Sequence, residues 1–430
     1  MTGYKLLVKN ARQVVQVSGS RESVKRGSDM NNLQVLEGAK GGYSILLDRD
    51  GIIVDLGPSP EVEARHGSDT IENVVDATGR CVIPGLVDAH THTVWAGDRV
   101  HEFAMKLAGA TYMDVHKAGG GIYFTVEHTR GTTEETLYEL LKERLMRAVR
   151  AGSTFVEVKS GYGLDLDTEV KMLKVTERAR QSLPIDISST YCGAHAIPKG
   201  KTSQEATTDV INVQLPRIQE LMLSKQLCVH NIDVFCEQGV FDVTQSRDIL
   251  LAGKSMGLNL NFHGEELHRL HSAEMGAEIG ALAISHLEEV SEEGITAMAK
   301  SGTVGVLLPT TAYNLRLTPP PARAMIDGGV AVALGSDFNP NAHCLAMPLV
   351  MNLACVTLRM TMSESLVAAT LNAAHALGQS DRHGSLEVGK LGNMLVLDAP
   401  RWEHLIYQMG SHQDVISHVI WHGDVVHRKQ

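Results

Sequence analysis

The sequence predicts an α/β protein: a TIM-like (β/α)8 barrel with a small composite β-sandwich domain formed from the N- and C-terminal segments. Three observations predict it. Eight short apolar runs alternate with helix-period segments through the middle of the chain. The two ends are written in strand-and-turn style, and chemically active side chains gather just after the apolar runs. Eight strand–helix units in roughly 250 residues match a closed parallel barrel, with a doubly wound open sheet as the competing fold.

Residues 1–80 are assigned to the composite domain. Leu6, Val8 and the group Val14, Val15 and Val17 alternate, and the runs 43–47 and 52–56 flank Asp48-Arg-Asp-Gly51, a hairpin signal. The polar and basic stretch 18–33 reads as a loop. Residues 81–375 form the barrel, with strands at 81–88, 154–159, 185–191, 232–235, 258–262, 282–285, 304–308 and 330–334. Between the first two lies a helix over 133–151, whose Leu137, Leu140, Leu141, Leu145 and Val149 make one stripe, with Thr132 and Glu135 as its capping box. Residues 376–430 return to strands at 394–398, 415–421 and 425–426. Neither end has enough strands for a core of its own, so the two are expected to pair.

Composition narrows the function classes. The 430 residues carry a net charge of −11 with no basic block, which argues against nucleic acid and anionic membrane as partners. Residues 1–10 lack the apolar core of a signal peptide, and no run approaches the roughly 18 apolar residues of a membrane span. The six cysteines show no C-x-x-C spacing and are expected to be reduced thiols in a cytoplasmic protein.

Barrel chemistry gathers at the C-terminal ends of the strands. His90 and His92, two apart at the end of the first run, share one face and can grip one ion. The third run leads to His195, the fifth to His263 and Glu266, the sixth to His286, and the eighth to Asp337. His90, His92, His263 and Asp337 supply the nitrogen and carboxylate ligands of a catalytic zinc-like ion, which activates water. Glu266, three residues beyond His263, can carry a proton, and His286 can do the same or orient the water. Which of Asp337, His286 and Glu266 takes the first proton is left open by spacing. Arg99, on the loop after the first ligand pair, suits a substrate carboxylate. Tyr112, Tyr162 and His195 can add hydrogen bonds. Gly119-Gly120-Gly121 follows no strand and reads as a flexible loop rather than a phosphate cradle.

Asp76-x-x-Gly79, Pro84-Gly-x-Val-Asp88-x-His90-x-His92, Gly384-Ser-Leu-x-x-Gly389-Lys and the aspartate after strand eight together resemble the amidohydrolase superfamily. More narrowly, five phrases resemble the imidazolonepropionase family of histidine degradation in its animal form. They are His92-Thr-Val-Trp-Ala-Gly-Asp-Arg99, Ser160-Gly-Tyr-Gly-Leu164, Thr190-Tyr-Cys-Gly-Ala-His195, Phe262-His-Gly-Glu-Glu266 and Gly335-Ser-Asp-Phe-Asn-Pro340. The resemblance implies hydrolytic opening of 4-imidazolone-5-propanoate to N-formimidoyl-L-glutamate by a homodimer. It implies one zinc or iron ion per subunit on His90, His92, His263 and Asp337. Substrate would lie near Arg99, Tyr112, Tyr162, His195 and Glu266, with Asn339 and Asn341 at its far end. No lysine ends strand four, where two-metal relatives carry a carbamylated one, so one metal is expected. Asn341-Ala342 stands where bacterial members have a small Gly-Ser/Thr pair, and Gly392-Asn393 where many superfamily members have Ala-Asp. The rival activities are an aminohydrolase acting on a ring C–NH2, which His263-x-x-Glu266 also suits, and a non-catalytic scaffold.

Overall fold

Eight parallel strands, joined in sequence order, build the barrel: Leu86–Asp88, Ser153–Lys159, Asp186–Ala194, Asn231–Cys236, Asn259–Gly264, Ala283–His286, Val304–Leu307 and Val332–Leu334. They are seen in a computed structural model that describes residues 3–109 and 120–429. The last strand meets the first through backbone bonds from Ala89 N to Leu334 O (3.4 Å), Asp337 N to His90 O (2.9 Å) and His92 N to Phe338 O (2.8 Å). Every side chain of Ser153–Lys159 is buried, as expected of a parallel strand covered on both faces.

The helix Glu134–Arg150 buries Leu137, Tyr138, Leu141, Leu145 and Val149 against the barrel. Its cap is Thr133, whose hydroxyl accepts from Thr136 N at 3.2 Å, rather than the expected Thr132–Glu135 box. Thr132 is committed backwards: its hydroxyl donates to His128 O at 2.7 Å and finishes the preceding helix Ile122–Gly131. The 18–33 stretch, expected to be loop throughout, contains a short 3-10 turn at Gly27–Asn31 anchored by fully buried Met30.

The run 81–88 is two strands, not one. Cys81–Pro84 pairs with Met394–Leu397 and Gln13–Val17, while Leu86–Asp88 opens the barrel. Both halves are apolar because both are buried. The small domain holds two sheets. One is the order Ile53–Pro58, Tyr43–Leu47, Gly3–Ala11, Thr70–Asp76; the other runs Asp424–Arg428, Ile416–Trp421, Met394–Leu397, Cys81–Pro84, Gln13–Val17, Gln34–Glu37. The second sheet draws on both chain ends, and Leu6, Val8, Val14, Ile45, Val82, Val396 and Ile420 fill the space between the sheets. All six cysteines are free. Among the described residues no helix is long and apolar enough to cross a membrane.

Asp186, at the start of the third barrel strand, fastens the small domain. Its Oδ2 accepts from Asn393 Nδ2 (2.9 Å) and Trp421 Nε1 (3.1 Å) and meets His422 Nε2 at 2.9 Å. His383 lies 3.9 Å from the same oxygen, stacked on Phe155. Burial outweighs the attraction of Asp186 and lowers His383 to about 4. Its folded value is therefore below the ordinary histidine value of about 6.5. Its contribution to stability is whole above that value and is lost as pH falls from there towards about 4, a change of roughly 3 kcal/mol. Denaturant midpoints taken at stepped pH should fall along this limb, and His383→Gln should flatten it. An unchanged limb in the variant would assign it to other groups.

Candidate functional site

The site lies at the C-terminal mouth of the barrel, in a cavity of about 510 Å3 lined by His92, Arg99, Tyr162, His195, Glu266, His286, Asp337, Asn339 and Asn341. Three imidazole nitrogens converge at its floor. His90 Nε2 and His92 Nε2 are 3.3 Å apart, and His92 Nε2 and His263 Nε2 are 3.1 Å apart. Asp337 Oδ1 stands 3.6 and 3.7 Å from the first two and has no hydrogen-bond donor among the described residues. Ligands about 2.1 Å from a tetrahedral zinc are separated by about 3.4 Å, so this set has the edge lengths of a metal's coordination shell.

Each candidate ligand is aimed from behind. Ser285 Oγ holds His90 Nδ1 at 2.8 Å, and Asp233 Oδ1 holds His263 Nδ1 at 2.7 Å, which turns both Nε2 atoms to the centre. Thr311 Oγ1 donates to Asp337 Oδ2 at 2.5 Å. Asp88 Oδ1 accepts from His90 N and Ser336 N, tying strand one to strand eight, and burial lifts its carboxyl to about 7. A Cβ on Gly335 would lie 2.7 Å from that of His90, so only glycine lets these strands approach. Asp233, Ser285, Thr311 and Asp88 are absent from the sequence-level site. Asp233 had left one signal, a charge inside the apolar run Ile232-Asp-Val-Phe235.

Burial pushes all three histidines below the ordinary value, leaving neutral rings with lone pairs to offer. Burial would raise Asp233, but His263 and Lys159 outweigh it and bring its carboxyl down to about 2. Lys159 and Glu157, also unforeseen, sit beneath. Lys159 Nζ is 2.6 Å from Asp233 Oδ2 and 2.8 Å from Glu157 Oε2.

Two groups titrate on the cavity wall. Burial lifts Glu266 to about 7, with His286 offsetting it in part. Burial alone would lower His286; the carboxylates of Glu266, Glu288 and Asp337 outweigh it and raise the ring to about 10. His286 Nε2 is 3.6 Å from Glu266 Oε2. Backbone strain concentrates here: Glu265, His286, Leu287 and Asp337 all have positive φ, from 47° to 80°.

The remaining candidates differ in how free they are. His195 stacks on His92 with 4.6 Å between centroids, its Nδ1 held by Gly161 O at 3.0 Å. Gly161 has φ +109°, and a Cβ there would stand 3.0 Å from that nitrogen. Tyr162 is buried beside them. Arg99 is nearly buried, and its fork already grips Glu102: Nε to Oε1 at 2.8 Å and Nη2 to Oε2 at 2.7 Å. Nη2 also donates to Asn341 Oδ1 at 3.0 Å. Asn339 folds its own loop, donating to Asp337 O and accepting from Asn341 N. Tyr112 and Gly119 lie outside the described residues.

The Amidohydrolase family matches residues 260–426. A Danio rerio protein called probable imidazolonepropionase is 63% identical over 424 residues, which is 99% of this chain and 97% of that protein. A Homo sapiens protein of the same name is 57% identical over 427 residues, 99% of each chain, and one from Dictyostelium discoideum is 54% identical over 98% of each. Among solved structures, a triazine hydrolase superposes with a TM-score of 0.73 at 16% identity, covering 99% of this chain and 95% of that one. Escherichia coli guanine deaminase gives 0.70 at 15% identity and 99% of each chain. These two share the fold. With over half its positions matched from end to end in such distant organisms, the chain belongs to the imidazolonepropionase family of amidohydrolases.

Proposed function

We propose that the protein hydrolyses 4-imidazolone-5-propanoate to N-formimidoyl-L-glutamate in L-histidine degradation, as a cytoplasmic homodimer with one zinc or iron ion per subunit. The observation that carries this reading is the convergence of His90, His92, His263 and Asp337 at coordination-shell spacing below a pocket that also holds Arg99. The donor set of three imidazoles and one carboxylate fits such an ion. When bound, it supplies an acidified water and draws charge from the ring carbonyl.

The chain's own groups do the rest. Asp337 Oδ1, which has no hydrogen-bond donor among the described residues, accepts the proton of the attacking water. His286, held in its charged form by the acidic side chains around it, faces the charge that develops on the carbonyl oxygen. Glu266 is raised towards neutrality by burial and delivers the proton to the departing ring nitrogen as the ring C–N bond breaks. Arg99 meets the propionate; because Glu102 and Asn341 already fix the guanidinium, the substrate finds it oriented. Tyr162 and His195 close the side of the pocket.

Incubation with 4-imidazolone-5-propanoate should consume the ring absorbance, stop on stripping with a chelator, and resume on return of zinc or iron. Undiminished turnover by metal-free protein would overturn the reading. So would ammonia release from amino-substituted heterocycles with the imidazolone left intact.

A further inference from the structure

Lys159 is the least expected residue in the barrel. Its side chain is 1% exposed, and it reaches inward from strand two to Glu157 and Asp233, with Cys192 close enough to influence it electrostatically. Glu157 and Asp233 side chains are fully buried. Ligand atoms of Cys192, Asp233 and His263 lie within 4.8 Å of one another, close enough to share a cation. His263 also belongs to the centre described above: its Nε2 faces that centre and its Nδ1 meets Asp233, so one imidazole ring stands between the two places. The pocket is not waiting for a metal, because an ammonium stands among its carboxylates at 2.6 and 2.8 Å. Buried ion pairs are poor stabilisers compared with packed apolar side chains, so stability alone is a weak reason for a lysine here.

We propose that the Lys159 ammonium is a built-in second cation, filling the Glu157–Asp233–Cys192 pocket beside His263 and so restricting the centre to one metal ion. The proposal rests on the metal centre of the preceding reading but not on its substrate. Sulfur, carboxylate and imidazole together would suit zinc or cobalt if the ammonium were gone.

Cobalt(II) is the probe, since thiolate coordination adds a charge-transfer band in the near ultraviolet. Wild-type protein should saturate at one Co2+ per chain without that band. Lys159→Ala should take two, with the band, and Cys192→Ser in that background should remove it. Lys159→Arg should stay at one. Should Lys159→Ala unfold without metal, refolding in Co2+ is the same test. Recovery with two equivalents supports the proposal, and failure at every Co2+ concentration overturns it. Two equivalents with a thiolate band in wild-type protein, or a folded Lys159→Ala that stays at one, would also overturn it. No bound cobalt at all in wild-type protein would instead sink the metal centre from which the proposal starts.

Discussion

His263→Ala should abolish turnover and metal retention together, lowering the rate at least about a thousandfold. That is more than the roughly 10- to 100-fold loss of metal affinity that removing an outer-shell partner causes. The difference follows from position. His263 Nε2 is one of the converging nitrogens, 3.1 Å from His92 Nε2, whereas Asp233 only aims it through Nδ1. Asp233→Asn is therefore the graded companion, keeping the shape while weakening metal affinity within that narrower range. Dialysed metal content and imidazolone turnover, measured on both variants with circular dichroism as a check on folding, separate ligand from support. A His263→Ala protein that keeps stoichiometric metal and near-normal turnover would remove this histidine from the centre.

Much of the candidate site was legible because its candidate ligands end apolar runs. His90, His92, His195, His263 and His286 each follow or close a strand, and the structure gathers their rings around one point. The supporting layer was less visible for a physical reason. A lysine at a strand terminus normally reaches water, and only closure of the barrel leaves Lys159 without a way out. Glu102 shows the same limit: it looks like a helix-start acid in sequence, and only folding turns it back onto Arg99. The misread run 81–88 failed differently. Apolar residues mark burial without saying in which layer, so Pro84-Gly85 signals a bend in the run but not that the chain changes sheet there. What shows it is backbone bonding, Gly85 N to Asn393 O in one domain and Leu86 N to Gly152 O in the other.

Glu266→Gln should lower kcat by about 10²- to 10⁴-fold, the usual range for losing a positioned proton donor. KM should move little, because the amide keeps the shape of the side chain and the proposed anchor of the substrate's charge is Arg99. The pH profile distinguishes this role from a merely structural one. Burial lifts Glu266 to about 7, so its acid form is full below that value and disappears as pH rises through it. Wild-type kcat should therefore fall on the alkaline side with a midpoint near neutrality, and the glutamine variant should lose that limb, since an amide has no proton to give up. His286→Gln provides the cross-check. The His286 ring, 3.6 Å away, offsets part of the burial effect on Glu266, so removing its charge should move the alkaline midpoint upward. If Glu266→Gln kept the limb, or retained more than about a tenth of the wild-type rate against that expected range, the proton would have to come from another group.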